Sequence, residues 1–289
     1  MKLVDKLFDK QCTCKKVCKK GKCIIVEIDN NKYVIKIKNN NKNSIYEYLN
    51  SRNFNNYPKI VLDADNYIVY EYIEDVSSPL EQKAYDMISL ISLLHKNTTY
   101  YKEMDIDEYK QIYENTINNI NNITTYYDNL ITTIERRLFM SPSEYLIARN
   151  ISNIMGALNY SKEYITKWYD IVKQNNKRRV VTLYNNMDLN HILRNTDLYL
   201  ISWGKSISGS PILDLYNFYK KNYNITDFSL LLKHYEEKYP LEECEKLLFN
   251  SLISIPEKIN FTYNEFINTR RVKKIIDYIY KTEVLISKN

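Results

Sequence analysis

The pattern of apolar positions changes once along the chain, near Leu80. Before it, apolar residues alternate with polar ones or stand in short runs. After it, they recur with the period of amphipathic helices. In the first part, residues 23–28 and 32–38 read as two strands around the turn Asp29-Asn30-Asn31. Residues 58–62 and 67–72 read as two more strands, and 43–52 fit a short helix with Ser44 near its start. Residues 1–11 form a short amphipathic piece in which Leu3, Leu7 and Phe8 share a face. In the second part, Ala84, Met87, Ile88, Ile91, Leu94 and His95 mark the first helix. Residues 109–137 and 143–173 are long helical patterns, and Ser141-Pro142-Ser143-Glu144 between them is a helix start. Further helices are expected at 228–239, 241–253 and 263–284.

One stretch interrupts the helical texture. Residues 180–183 read as a strand that ends in the turn-prone Tyr184-Asn185-Asn186. Ile192 and Leu193 resume an apolar run, Asn195-Thr196-Asp197 supply a hairpin turn, and 198–203 read as the next strand, a small hairpin within 180–203. Gly209 and Pro211 then lead into a helix containing Asp214, Leu215 and Phe218.

The residues of this stretch fall in a known order. Tyr184-Asn185-Asn186-Met187-Asp188-Leu189-Asn190-His191-Ile192-Leu193 is followed by Ile201-Ser202-Trp203 and by Gly209-Ser210-Pro211-Ile212-Leu213-Asp214-Leu215. That order resembles the catalytic core of the aminoglycoside phosphotransferase and choline kinase-like family. The family carries His-Gly-Asp-Leu-x-x-x-Asn-Ile-Leu, then Ile-Asp-Trp, then Gly-x-Pro-x-x-Asp-Leu. The resemblance implies an α+β, two-lobed protein-kinase-like fold. It places a small antiparallel β lobe at 1–75 and a larger, mainly helical lobe at 76–289. Long helices before the catalytic core are typical of the family's substrate side.

The frame is kept and the chemistry is not. Asn186 stands at the catalytic base position, His191 at one metal-ligand position and Ser202 at the other. In phosphoryl transfer an Asp accepts the substrate hydroxyl proton and a second Asp holds magnesium on the phosphates. An amide carries no charge and is no base. Magnesium takes hard oxygen ligands, and neither an imidazole nor a neutral hydroxyl replaces a carboxylate. Asp188, two positions beyond Asn186, is the alternative base if the loop bulges. Asp214 matches a family Asp that starts a buried helix and bonds the catalytic-loop backbone. Such a buried carboxylate needs amide donors near residues 184–186.

In the small lobe, Tyr33-Val34-Ile35-Lys36 resembles the kinase strand whose Lys grips nucleotide phosphates, and Glu47 falls where the family places its acidic partner. Two readings of Lys36 stay open: phosphate-facing, or an exposed strand lysine. Glu71 and Tyr72 fall at the hinge that would bond an adenine. The Lys-rich segment 12–22 falls where a phosphate-covering loop would lie. The chain has 4 glycines and this segment holds only Gly21, so a solvated charged hairpin competes with an anion-binding loop.

Composition narrows the function classes. A hydrophobic share of 44% describes a globular chain, and a net charge of +6 is too small to argue for nucleic acid. No apolar run is long enough to span a bilayer, and Met1-Lys2-Leu3-Val4-Asp5 is no secretory leader, so a cytoplasmic protein is expected. An odd count of 5 cysteines without a secretory signal argues against a disulfide framework. Cys12, Cys14, Cys18 and Cys23 lack the paired knuckle spacing of common zinc sites, so free thiols in or near a strand and a four-thiolate zinc site stay open. Residues 143–169 and the eroded loop resemble the spore-coat-associated branch of the family. The paucity of glycine beside 28 tyrosines fits the coding bias of an AT-rich bacterial genome.

Three readings follow. The first is a catalytically inactive pseudokinase that works as a binding or structural module, in the spore coat if that branch applies. It has no cofactor, and its partner is an unknown protein or small molecule, neither nucleic acid nor membrane. The second is an active small-molecule kinase that uses ATP, magnesium and Asp188. The third is an unrelated mixed α/β protein.

Overall fold

The structure is a computed structural model and describes residues 14–20, 23–28, 30–37, 44–64 and 66–288. The amphipathic piece at 1–11, Cys12, Gly21, Lys22 and Lys38 lie outside the described residues.

The small lobe is a five-stranded antiparallel sheet. Its strands are β1 (Cys14–Lys20), β2 (Cys23–Ile28), β3 (Asn31–Ile37), β4 (Ile60–Asp63) and β5 (Tyr67–Glu71). Their order across the sheet is β1-β2-β3-β5-β4. The Lys-rich segment is therefore largely strand, paired with β2 in a charged hairpin. Asn30 turns between β2 and β3 with φ 66°, a left-handed conformation that Asn tolerates. Period-two alternation buries Val26, Ile28, Ile35 and Val69 in one small cluster.

Helix α1 (Ser44–Ser51) and the loop after it belong by packing to the other lobe. Leu49 and Phe54 are fully buried in the large helical core rather than under the sheet. Asn56 ties this loop across, donating to Leu198 O at 2.9 Å and accepting from Leu200 N at 2.8 Å.

The large lobe opens with α2 (Leu80–Thr98) and then extends α3 (Ile106–Glu135) and α4 (Pro142–Val172) as a long hairpin. Tyr109 stacks on Trp168 and Tyr113 on Tyr169, so the two run antiparallel. Ser141 and Glu144 form a capping box at the start of α4, with Pro142 in its first turn. Helices α5 (Ile212–Asn222), α6 (Phe228–Lys238), α7 (Glu243–Ser254) and α8 (Glu265–Lys288) complete the lobe.

The hairpin turn read at 195–197 lies between two paired strands, and the first strand of the stretch belongs to another sheet. Strand β7 (Lys177–Leu183) does not join that hairpin. It lies between β6 (Tyr100–Glu103) and β10 (Ile207–Gly209), two short strands without a sequence signal of their own. The hairpin is made by β8 (Ile192–Arg194) and β9 (Leu198–Leu200), and residues 201–203 leave it. A Cβ on Gly209 would come within 2.8 Å of Leu183 Cδ1, so any larger residue there displaces the end of the Leu183 side chain.

Candidate functional site

The sheet and the β7–β9 region face each other across a cavity of about 600 Å³, within the range of small-molecule sites. Cys23, Ile25, Val34 and Lys36 line it from β2 and β3, and Tyr70, Glu71, Tyr72 and Ile73 from β5 and the connection after it. Asn190, His191, Leu193, Ile201, Ser202 and Trp203 form the opposite wall. Alternation brings Val34 and Lys36 to one face, and Cys23 is the cross-strand partner of Lys36.

Lys36 points into this cavity. Its Nζ donates to Ser202 Oγ at 3.4 Å and stands 5.5 Å from the centroid of the Tyr70 ring. Burial pushes the ammonium below its ordinary value, and the facing Cys23 offsets part of that effect. No ion pair joins it to Glu47. Tyr46 takes the inward position of α1 and its hydroxyl meets that of Tyr70 at 3.1 Å. Glu47, the next residue and about 100° round the helix, is exposed and outside the cavity lining. Burial pushes both tyrosine hydroxyls up.

Glu71 and Tyr72 lie at the hinge. Glu71 Oε1 accepts from Lys59 N at 3.0 Å, and Tyr72 N donates to Lys32 O at 3.2 Å. Asp75 extends the hinge onto β8, accepting from Arg194 N at 2.9 Å and pairing with Lys83 at 2.9 Å. Arg194 in turn grips both oxygens of buried Asp86 at 2.9 and 2.6 Å.

Across the cavity, Asn186 is buried and donates from Nδ2 to Ser202 O at 3.1 Å. Ser202 holds φ 68° and ψ 50°, the left-handed region that costs a side chain energy. Its neighbour Trp203 anchors it. The indole packs edge-on against Phe54, Tyr57 and Tyr184 and donates to Leu200 O at 2.9 Å. His191 lines the cavity and turns Nδ1 toward Asn186 O at 3.4 Å.

Asp188 is spent on the backbone. Its Oδ1 accepts from Asn190 N at 2.9 Å and Asn190 Nδ2 at 3.0 Å, capping the short turn Leu189–His191. The backbone bond from Asn190 is the main reason its carboxyl is held below the usual range. Asp188 is not among the residues lining the cavity.

Asp214 is fully buried behind this loop. Its Oδ2 accepts from Tyr184 N and its Oδ1 from Asn185 N, both at 2.8 Å. His95 Nε2 adds a third contact at 3.2 Å, and His95 Nδ1 meets Tyr235 OH at 2.6 Å. Both carboxylate oxygens only accept, so His95 Nε2 donates in its contact with Asp214.

A magnesium ion does not fit these residues. Among the described residues no group of three or more His, Cys, Asp or Glu comes together as a ligand set. The lining carboxylates, Glu71 and Asp75, sit at the hinge and are engaged by Lys59, Lys83 and Arg194. The end beside Lys36 offers a hydroxyl and an imidazole. Cys23, Tyr46, Tyr70 and the Asp86–Arg194 pair escaped the sequence reading. Alternation in β2 could have placed Cys23 opposite Lys36, but Tyr46 had no local signal.

No protein-family model and no curated protein matches the chain in sequence. Solved structures match it over nearly its whole length. One is an aminoglycoside phosphotransferase from Alicyclobacillus acidocaldarius, with a TM-score of 0.63, 9% identity and coverage of 95% of this chain and 89% of that one. A spectinomycin phosphotransferase solved with AMP gives a TM-score of 0.53 at 13% identity, covering 99% of this chain and 92% of that chain. A choline kinase from Streptococcus pneumoniae gives 0.52 at 15%, covering 96% and 98%. The chain therefore has the fold of the aminoglycoside phosphotransferases and choline kinases. Among the described residues, no helix is long and apolar enough to cross a membrane.

Proposed function

We propose that the protein is a pseudokinase: a kinase-fold module that binds a ligand or partner through its interlobe cavity and transfers no phosphate. The observation that carries this reading is the wall opposite Lys36. His191 and Ser202 place no carboxylate there, Asn186 behind them donates its amide to Ser202 O, and the nearby carboxylate of Asp188 caps a turn instead. Loss of a general base alone is typically worth ~10²–10⁴ in rate. Loss of the metal's charge clamp removes much of what remains in this chemistry. Lys36 and the two tyrosine hydroxyls favour an anionic or hydrogen-bonding ligand taken without metal. The eroded loop shared with the spore-coat-associated branch supports a structural setting of that kind.

Thermal shift with ATP, with and without magnesium, tests the reading. The expected result is no magnesium-dependent rise in melting temperature and no ATP consumption with added alcohols or aminoglycosides. The variant Asn186→Asp/His191→Asn/Ser202→Asp is expected to gain a magnesium-dependent shift. A native protein that consumes ATP with a hydroxyl acceptor, and stops doing so as Asp188→Ala, overturns the proposal in favour of a rewired kinase.

A further inference from the structure

The end of the α3–α4 hairpin is unlike the rest of the surface. The two helices reach about 45 Å from the β6–β7 strands, at about 1.5 Å per residue. The loop joining them ends in Arg136-Arg137-Leu138-Phe139-Met140. Leu138 is 88% exposed and Phe139 83%. A second apolar group stands beside it, because Ser143 N donates to Glu265 Oε1 at 2.6 Å and so docks the start of α8 against the start of α4. That contact brings Tyr263, which is fully exposed, and Phe266, which is 77% exposed, next to the hairpin tip. Tyr145 and Phe261 are also exposed there.

The charge around these side chains is one-sided. Residues 135–149 and 260–274 contain seven basic residues: Arg136, Arg137, Arg149, Arg270, Arg271, Lys273 and Lys274. They contain three acidic ones, Glu135, Glu144 and Glu265, giving a net charge of +4 within a chain of +6. Two of those acids are engaged inward. Glu144 takes Ser141 N and pairs with Arg137, and Glu265 takes Ser143 N. Exposed apolar side chains gathered in one place, rather than scattered singly, mark interaction surfaces. A second copy of the chain would set like charge against like charge. A hairpin tip is convex, whereas anchors of protein interfaces sit in complementary pockets. Apolar and aromatic side chains at a protruding apex within a basic collar match the interface of an anionic bilayer.

We infer that the hairpin tip docks the protein onto an anionic lipid surface, inserting Leu138, Phe139 and Phe266 at headgroup depth while the surrounding arginines meet the lipid phosphates. This surface adsorption needs no spanning segment, so it revises the expectation of no membrane partner, which rested on the lack of one. It does not depend on the cavity, whose lining includes no residue of either hairpin helix.

Co-sedimentation with vesicles of phosphatidylcholine, with and without phosphatidylglycerol, tests it. The native protein is expected to pellet with the phosphatidylglycerol vesicles, to stay in solution with phosphatidylcholine alone, and to be released as salt rises. Leu138→Asp/Phe139→Asp should lower the lipid-bound fraction by about tenfold or more with an unchanged melting temperature, because neither side chain is packed. If that variant fails to fold, Phe266→Asp carries the same reading. The inference falls if the native protein stays in solution with phosphatidylglycerol vesicles at low salt. It also falls if the folded variants pellet as the native protein does, which would mean adsorption by net charge alone.

Discussion

Asp214 and Ser202 stand on two sides of the same loop, and their surroundings differ in kind. Asp214 meets three donors from two directions: Tyr184 N and His95, both in buried residues, and Asn185 N, in a half-buried one. The wall at Ser202 faces a cavity and offers Lys36 one long hydroxyl contact, and the Tyr70 ring beside the ammonium comes from its own sheet. The first arrangement is structural, because removing one carboxylate strands several buried donors. The second tolerates neutral side chains, because solvent or a ligand can complete it. A kinase frame can therefore persist where its acids do not.

The largest effect belongs to Asp214. Asp214→Ala is expected to cost about 3–5 kcal/mol of stability, since two backbone amides and the His95 N–H lose their acceptor in the interior. Urea unfolding measures it, and a loss below about 1 kcal/mol would erase the contrast between the two regions.

On the cavity side the sign should reverse. Lys36→Met removes a buried ammonium that faces no carboxylate and should add on the order of 1 kcal/mol near neutral pH, while abolishing anion binding. The pH dependence follows from linkage. The folded Lys36 value lies below its ordinary 10.5, so between the two the unfolded chain binds more protons and stability rises with pH. That rise should be missing from Lys36→Met. It is read as the difference between the two proteins, because buried tyrosines such as Tyr127 lose stability above their ordinary value of 10.0.

Asn186→Ala removes the bond to Ser202 O and should cost about 1 kcal/mol or less. A several-fold larger loss would make Asn186 as structural as Asp214. The smallest effect is expected at Asp188. Asp188→Ala loses a turn cap worth about 0.5 kcal/mol. Its carboxyl is held low in the fold, so this contribution is present above the ordinary carboxylate value and fades as pH falls through the folded one. An acid-unfolding profile of Asp188→Ala should be flatter over that range.

How far each feature could be read locally varied with its physics. The α2, α3 and α4 helices follow from a 3.6-residue period carried over several turns, and the boundary at Pro142 from its cap. The β2–β3 hairpin follows from alternation around an Asn turn. Strands β6 and β10 have neither signal. Tyr100–Glu103 is exposed throughout and exists because β7 lies beside it. The same limit explains the exchange of Glu47 for Tyr46: the motif position predicts an acid near the lysine, but the rotation of an eight-residue helix on the large core decides which side chain faces inward.

The sequence by itself determined the two textures of the chain and the residues at the three depleted positions, because periodicity and side-chain chemistry are local properties. Tertiary structure alone decided that Lys36 faces Ser202 rather than an acid and that Asp188 caps a turn. It also gathered Leu138 and Phe266, more than a hundred positions apart, on one charged apex. Those outcomes depend on the path by which distant segments pack, and no window of neighbouring residues contains it.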